Sequence, residues 1–254
     1  GMDCKGLSRS EVDYTDVATL RRWLSDHGSD FLINAAGYTG KPNVDACEDH
    51  KAECLFGNAV LPGRIREACE ETGTPWGHVS SGCVYQGRRS DGGGWREEDA
   101  PNFSFRLPPC SFYSGTKALG EEVLKDAEEC YVWRLRVPFN SEDSPRNYLR
   151  KILAYDRLLD VENSLSQIDD FVEATLACWE KHVPYGVYNV TNPGAVTTRQ
   201  VTEWMREEGV TDKELTFFES EDEFMHQAAR APRSSCVLDA SKLIAAGIEL
   251  RPVE

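Results

Sequence analysis

The sequence predicts a doubly wound α/β fold built on a parallel sheet, and three observations predict it. Short apolar runs alternate with amphipathic stretches of helical period along the whole chain. The run Asp30-Phe31-Leu32-Ile33-Asn34-Ala35-Ala36-Gly37 is apolar and ends in small residues. That suits a buried parallel strand whose carboxyl end admits a ligand. Finally, Ser111-Phe112-Tyr113-Ser114-Gly115-Thr116-Lys117 opens a helix, because Ser111 can cap it and Ala118, Leu119, Val123 and Leu124 recur at helical spacing.

Taken in order, Met2 to Ser8 is predicted as a short strand and Arg9 to Asp16 as a polar turn ending in a helix cap. Val17 to Leu24 is amphipathic and helical. The Asp30–Gly37 strand is followed by one long helix, about Ala46 to Thr72, with Asn58 in its middle. Trp76 to Ser81 is the next strand, and Arg88 to Trp95, rich in Gly and charge, reads as a surface loop. Beyond the Tyr113 helix come the strand Cys130 to Arg136 and the helix Pro145 to Tyr155. A helix about Asp169 to His182, the strand Gly186 to Thr191 and the helix Thr197 to Glu208 complete the alternation.

A chain of 254 residues can bury one sizeable core, alone or with a cap. The formal net charge of −15 argues against a nucleic-acid or anionic-membrane partner, so an anionic substrate needs a local basic pocket. No apolar run approaches membrane-spanning length. Nine scattered cysteines form neither a Cys-x-x-Cys pair nor a cluster with zinc spacing, which predicts reduced thiols, a cytoplasmic setting and no metal.

Tyr113 and Lys117 lie one turn apart on the same helix face. A cation beside a phenol favours the phenolate, so Lys117 is expected to lower the Tyr113 pKa and help the hydroxyl give a proton to a carbonyl oxygen. Alone, a Tyr-x-x-x-Lys spacing is more often a half-exposed Tyr and a solvated Lys.

The neighbouring motifs reverse those odds. Asn34-Ala35-Ala36-Gly37, Ser81, Tyr113 and Lys117, in this order, resemble the extended short-chain dehydrogenase/reductases. Several stretches narrow the likeness: Asn34 through Glu48, Ser81-Gly82-Cys83, Glu97 through Phe103, Pro145-Arg146-Asn147, Thr191 through Gly194, and Ala231-Pro232-Arg233-Ser234. Together they resemble the bifunctional nucleotide-rhamnose epimerase/reductases and, less closely, the dTDP-4-dehydrorhamnose reductases.

The resemblance implies a Rossmann-like fold with a dinucleotide-binding part, residues 1–140, and a C-terminal substrate-binding cap, residues 141–254, some of whose segments return to the sheet. It implies NADP(H) as cofactor. Asn34, Ala35 and Ala36 become the wall beside the cofactor, and Asn58 the helix asparagine that supports the active-site lysine or a proton-relay water. Arg9 sits where an acid would read the ribose 2′-hydroxyl, so it favours a 2′-phosphate and hence NADPH. Asp13 corresponds to the acid facing the adenine amine, with helix capping as the plain alternative. Ser81, Tyr113 and Lys117 match the catalytic positions. Cys83 and Lys151 match an acid/base pair that works from opposite faces of a sugar ring. A buried core cysteine and a surface lysine are the competing readings. Lys41, Asn147 and Arg233 match substrate ligands, Arg233 suiting a diphosphate through its two-pronged guanidinium, with a salt bridge as its alternative.

The implied reaction is NADPH-dependent C3 and C5 epimerisation and 4-keto reduction of a nucleotide-linked 4-keto-6-deoxyhexose. The partners implied are that substrate and a second copy of the chain as a homodimer. Reduction alone and a non-catalytic binding subunit are the alternatives. The family's usual first strand, Gly-rich turn and helix do not occur in this sequence; an upstream segment carrying them is the expectation, and a divergent or inactive member the alternative.

Overall fold

A computed structural model describes residues 3–253. Its centre is a four-stranded parallel sheet of β1 (Leu32–Asn34), β2 (Trp76–Ser81), β3 (Cys130–Leu135) and β4 (Gly186–Asn189), in that spatial order. Leu32 pairs with Trp76, Trp76 with Cys130, and Tyr131 with Gly186, so the strands start nearly level and end together on one side. That side, at the strands' carboxyl ends, is where an open parallel sheet receives ligands.

Alternation along β3 divides the core between the two faces. Cys130 and Val132 pack with Trp76 against α1 (Val17–His27) and the helix α3 (Leu61–Thr72), through Leu20, Leu24, Leu61 and Ile65. Tyr131 and Trp133 face the other way, onto Phe171, Ala174 and Cys178 of α6 (Ile168–Glu180). The Trp133 ring lies so close to β2 that a Cβ at Gly77 would sit 2.0 Å from it, so only glycine fits there. A separate apolar cluster of Ile152, Leu158, Leu165, Val196, Val201 and Met205 joins α5 (Tyr148–Ala154) to α7 (Thr198–Glu207). α7 starts with a reciprocal cap between Thr197 and Gln200. Among the described residues no helix is long and apolar enough to cross a membrane.

Two predicted elements change. The strand expected over residues 2–8 is absent over residues 3–8, and Met2 lies outside the described residues. A strand exists only where a neighbour takes its backbone groups, and no described strand runs beside this segment. The single helix expected over residues 46–72 is broken into a 3-10 turn (Val44–Glu48), a short helix α2 (Lys51–Leu55), a π turn (Phe56–Val60) and α3. The π turn sits where the helix is crowded from two sides. A Cβ at Gly57 would meet Tyr38 at 3.0 Å, and one at Gly120, on the opposing helix, would lie 2.1 Å from the Asn58 carbonyl oxygen.

Candidate active site

β2 delivers Ser81 to the carboxyl end of the sheet, where the chain enters a 3-10 turn, Gly82–Val84. The Ser81 side chain caps that turn by accepting from the Cys83 amide, at 3.2 Å. Opposite lies α4 (Phe112–Val123), capped as expected by Ser111, whose hydroxyl accepts from the Ser114 amide at 3.1 Å. Its first turns bring Tyr113 and Lys117 against β2. Tyr113 packs beside Cys83, Val84, Tyr85 and Ala118. Lys117 is buried and donates from Nζ to the Val79 carbonyl oxygen at 3.1 Å.

Four predicted residues therefore meet in one place, Ser81, Cys83 and Lys117 buried and Tyr113 partly so, and desolvation dominates the electrostatics of Cys83, Tyr113 and Lys117. It pushes the Tyr113 phenol up, the Cys83 thiol adds to that, and the Ser81 hydroxyl opposes it. The predicted depression of Tyr113 by Lys117 is not found: the lysine is not among the leading influences on the phenol. The reason is desolvation, which disfavours the phenolate more than the neighbouring polar groups favour it. Burial likewise pulls Lys117 down, against the pull of Cys83, Glu121 and Cys54, and no described carboxylate forms an ion pair with it. The Cys83 thiol is pushed up by burial and held back by Ser81, Lys117, Arg136 and Ser114. The site thus keeps its phenol and thiol protonated beside a buried amine. It can donate a proton to an oxygen placed between Ser81 and Tyr113.

At the end of β1, the Asn34 side chain turns inward, donating from Nδ2 to His78 Nδ1 at 2.9 Å and accepting on Oδ1 from the Ala36 amide at 3.0 Å. Exposed Ala35 and half-buried Ala36 leave a small-residue wall. That wall, with Tyr113 and Lys117, could hold the nicotinamide end of a dinucleotide. Arg9 is exposed and makes no hydrogen bond or ion pair among the described residues. It lies close enough to Asp13 to help lower its pKa, though Thr15 does most of that. Asp13 itself accepts from the Thr15 hydroxyl and amide, at 2.5 and 3.1 Å, and the α1 cap is Asp16.

The remaining predicted residues have surroundings of their own. Asn58 makes no hydrogen bond to Lys117 among the described residues. It clasps Tyr38 instead, accepting from its amide at 2.9 Å and donating to its carbonyl at 2.8 Å, with Thr116 Oγ1 at 3.2 Å. The π turn aims Asn58 at the loop beyond β1, which helical spacing could not foretell. Asn147 is spent on its own loop: it caps α5 through the Leu149 amide and donates to Asn140 and Glu142 backbone oxygens, both at 2.7 Å. Arg233 forms a two-pronged pair with Asp45, at 2.7 and 2.5 Å. Lys41 is exposed. No described contact joins Lys151 to Cys83 or Tyr113; its pKa is lowered by burial, then by the charges of Arg146 and Arg233.

The RmlD substrate binding domain family matches residues 1–254. This chain belongs to that family. It is 35% identical over 243 residues to a bifunctional dTDP-4-dehydrorhamnose 3,5-epimerase/dTDP-4-dehydrorhamnose reductase of Arabidopsis thaliana, covering 94% of this chain and 77% of that protein. A trifunctional UDP-glucose 4,6-dehydratase/UDP-4-keto-6-deoxy-D-glucose 3,5-epimerase/UDP-4-keto-L-rhamnose-reductase from the same plant is 34% identical, over 84% of this chain but 31% of its own length. This family member thus spans about a third of that larger enzyme. In fold it is similar to a UDP-rhamnose synthase from Acanthamoeba polyphaga mimivirus, with TM-score 0.87 at 22% identity over 98% of this chain and 85% of that one. It is also similar to dTDP-4-dehydrorhamnose reductase from Bacillus anthracis in complex with NADP, at TM-score 0.81 and 18% identity, covering 98% and 86%. The architecture is that of the Rossmann-like reductases.

Proposed function

We propose that this chain both epimerises and reduces a nucleotide-linked 4-keto-6-deoxyhexose on the way to an L-rhamnose nucleotide. The chain is an enzyme of nucleotide-sugar 4-keto reduction and its cofactor is NADP(H). The observation that carries the mechanism is the meeting of Ser81, Cys83, Tyr113 and Lys117 at the carboxyl ends of β2 and the start of α4.

Bound NADPH supplies hydride to C4 of the sugar. Tyr113, kept protonated by burial, gives its proton to the 4-oxygen, and Ser81 hydrogen-bonds the same oxygen. Lys117, one helix turn on, stabilises the phenolate left behind through the positive charge of its ammonium form. Asn34, Ala35 and Ala36 wall the cofactor side, and Arg9 holds the 2′-phosphate. Residues 1–140 form the dinucleotide-binding part and 141–254 the cap, some of whose segments return to the sheet; Arg233 supplies positive charge for the substrate diphosphate.

Epimerisation needs a proton to leave one face of a carbon beside the ketone and return to the other. Cys83 lies beside the oxygen-binding pair and serves one face; Lys151 serves the other. The reductase-only reading is favoured by one observation, that no described contact joins Lys151 to Cys83 or Tyr113. Incubation with the keto sugar in deuterated water without NADPH separates the two. The enzyme is expected to place deuterium at C3 and C5, Cys83→Ser to lose most of it, and Lys151→Met to exchange without inverting. Equal incorporation by both variants and the unmodified enzyme makes Cys83 core and leaves reduction alone.

A further inference from the structure

In the first turn of α4 the Phe112 amide finds no acceptor among its neighbours in sequence. Ser111 takes the Ser114 amide on its hydroxyl and the Gly115 amide on its carbonyl. The Phe112 amide, adjacent to Tyr113, is taken instead by Glu48 Oε1 at 2.7 Å, across 64 residues of sequence. A carboxylate at this end of a twelve-residue helix also meets the positive pole of its dipole.

Glu48 ends the 3-10 turn Val44–Glu48, and the other end of that turn holds a second site element. Asp45 carries the two-pronged pair with Arg233 and accepts from the Arg230 amide at 3.3 Å. Asp49, just past the turn, pairs with the Arg230 guanidinium at 2.5 and 2.8 Å. The turn is stiff for its length. Asn43 caps it through the Asp45 amide at 2.9 Å, and Cys47 in its middle is fully buried and close enough to Tyr113 to act on the phenol. The Asp45 pair uses one N–H from each terminal nitrogen of Arg233, so its remaining donors stay available to an anion.

We propose that this turn is a positioning brace: Glu48 sets the helix that carries Tyr113, and Asp45 sets Arg233. The proton donor and the anion-binding guanidinium are then held at one spacing for a substrate that must touch both. The inference rests on the proposed roles of Tyr113 and Arg233. Neither carboxylate touches substrate, so both are positioning residues; a misplacement of about 1 Å at a reacting group can cost roughly a hundredfold in rate.

The test measures kcat and KM of the full chain with NADPH and the keto sugar nucleotide, together with hydrogen exchange at the Phe112 amide. Glu48→Ala is expected to lower kcat about tenfold with KM within about twofold, and to speed Phe112 exchange. Glu48→Gln, whose amide oxygen still accepts, restores both. Should Glu48→Ala fail to fold, Glu48→Asp, too short to reach Phe112, carries the same expectation. Asp45→Asn raises KM several-fold and leaves kcat nearly unchanged. An unaltered kcat in the shortened variants, a Glu48→Gln enzyme no better than Glu48→Ala, or an unaltered KM in Asp45→Asn overturns the brace. Tyr113→Phe and Arg233→Gln run alongside: losses there with normal Glu48 and Asp45 variants sink the brace alone. Normal activity in either of those two sinks the underlying roles and removes what the brace would position.

Discussion

Asn58 offers the sharpest test of how the site is held. Its side chain is 1% exposed and makes two short bonds to the Tyr38 backbone, plus longer ones to Thr116 Oγ1 and Cys54 Sγ. Asn58→Ala removes all of them and leaves an N–H and a C=O of half-buried Tyr38 without protein partners. Each short bond contributes about 1 kcal/mol net, and each orphaned group adds about 1 kcal/mol of desolvation, less where water enters. The sum is about 2–4 kcal/mol. At roughly 2–4 °C per kcal/mol for a chain of this size, Tm falls by about 5–15 °C. Asn58→Asp keeps the acceptor for the Tyr38 amide but sets a carboxylate against the Tyr38 carbonyl, so it is expected to lose at least as much. Thermal and urea unfolding measure both variants, and amide exchange at Tyr38 locates the change. The Lys117 bond to Val79 should be untouched, because Asn58 makes no hydrogen bond to Lys117 among the described residues. A Tm within 1 °C of the unmodified chain, or a shift in Lys117 titration with Tyr38 exchange unchanged, refutes the clasp and restores the lysine-supporting role.

Three further outcomes follow from the same structure. His78 is fully buried, and burial followed by Lys117 holds its pKa well below 6.5, so the folded state stays neutral while the unfolded chain takes a proton below that pH. Stability is therefore full above about pH 6.5 and falls by about 1.4 kcal/mol per unit below it, a slope that His78→Gln should remove from urea-unfolding data between pH 7 and 5. Glu121 pairs with Arg134 at 2.7 Å, both nearly inaccessible; Glu121→Leu strands a buried guanidinium and should cost about 3–5 kcal/mol, and an unchanged midpoint would show that Arg134 finds another partner. Arg9→Ala should weaken NADPH roughly tenfold or more while leaving NADH nearly unaffected, as read by cofactor titration; equal losses would make Arg9 a plain loop residue.

The sequence alone determined the alternation of elements, because each depends on its own period and caps. α4 starts at Ser111 and α7 at Thr197 as read, and β2 and β3 lie where the apolar runs put them. It also determined the family and the meeting of Ser81, Tyr113 and Lys117, since strand ends and a helix start converge in any parallel sheet. Only the tertiary structure decided what those side chains experience. The Tyr113 phenol is raised, not lowered, because desolvation depends on everything packed around it, most of it distant in sequence. Asn58 turned to Tyr38 because a π turn, forced by close approach of α4, rotated it. Arg233 and Phe112 found Asp45 and Glu48 across 188 and 64 residues, pairings that no local pattern records. Periodicity and capping are written locally, whereas burial and charge pairing belong to the folded chain as a whole.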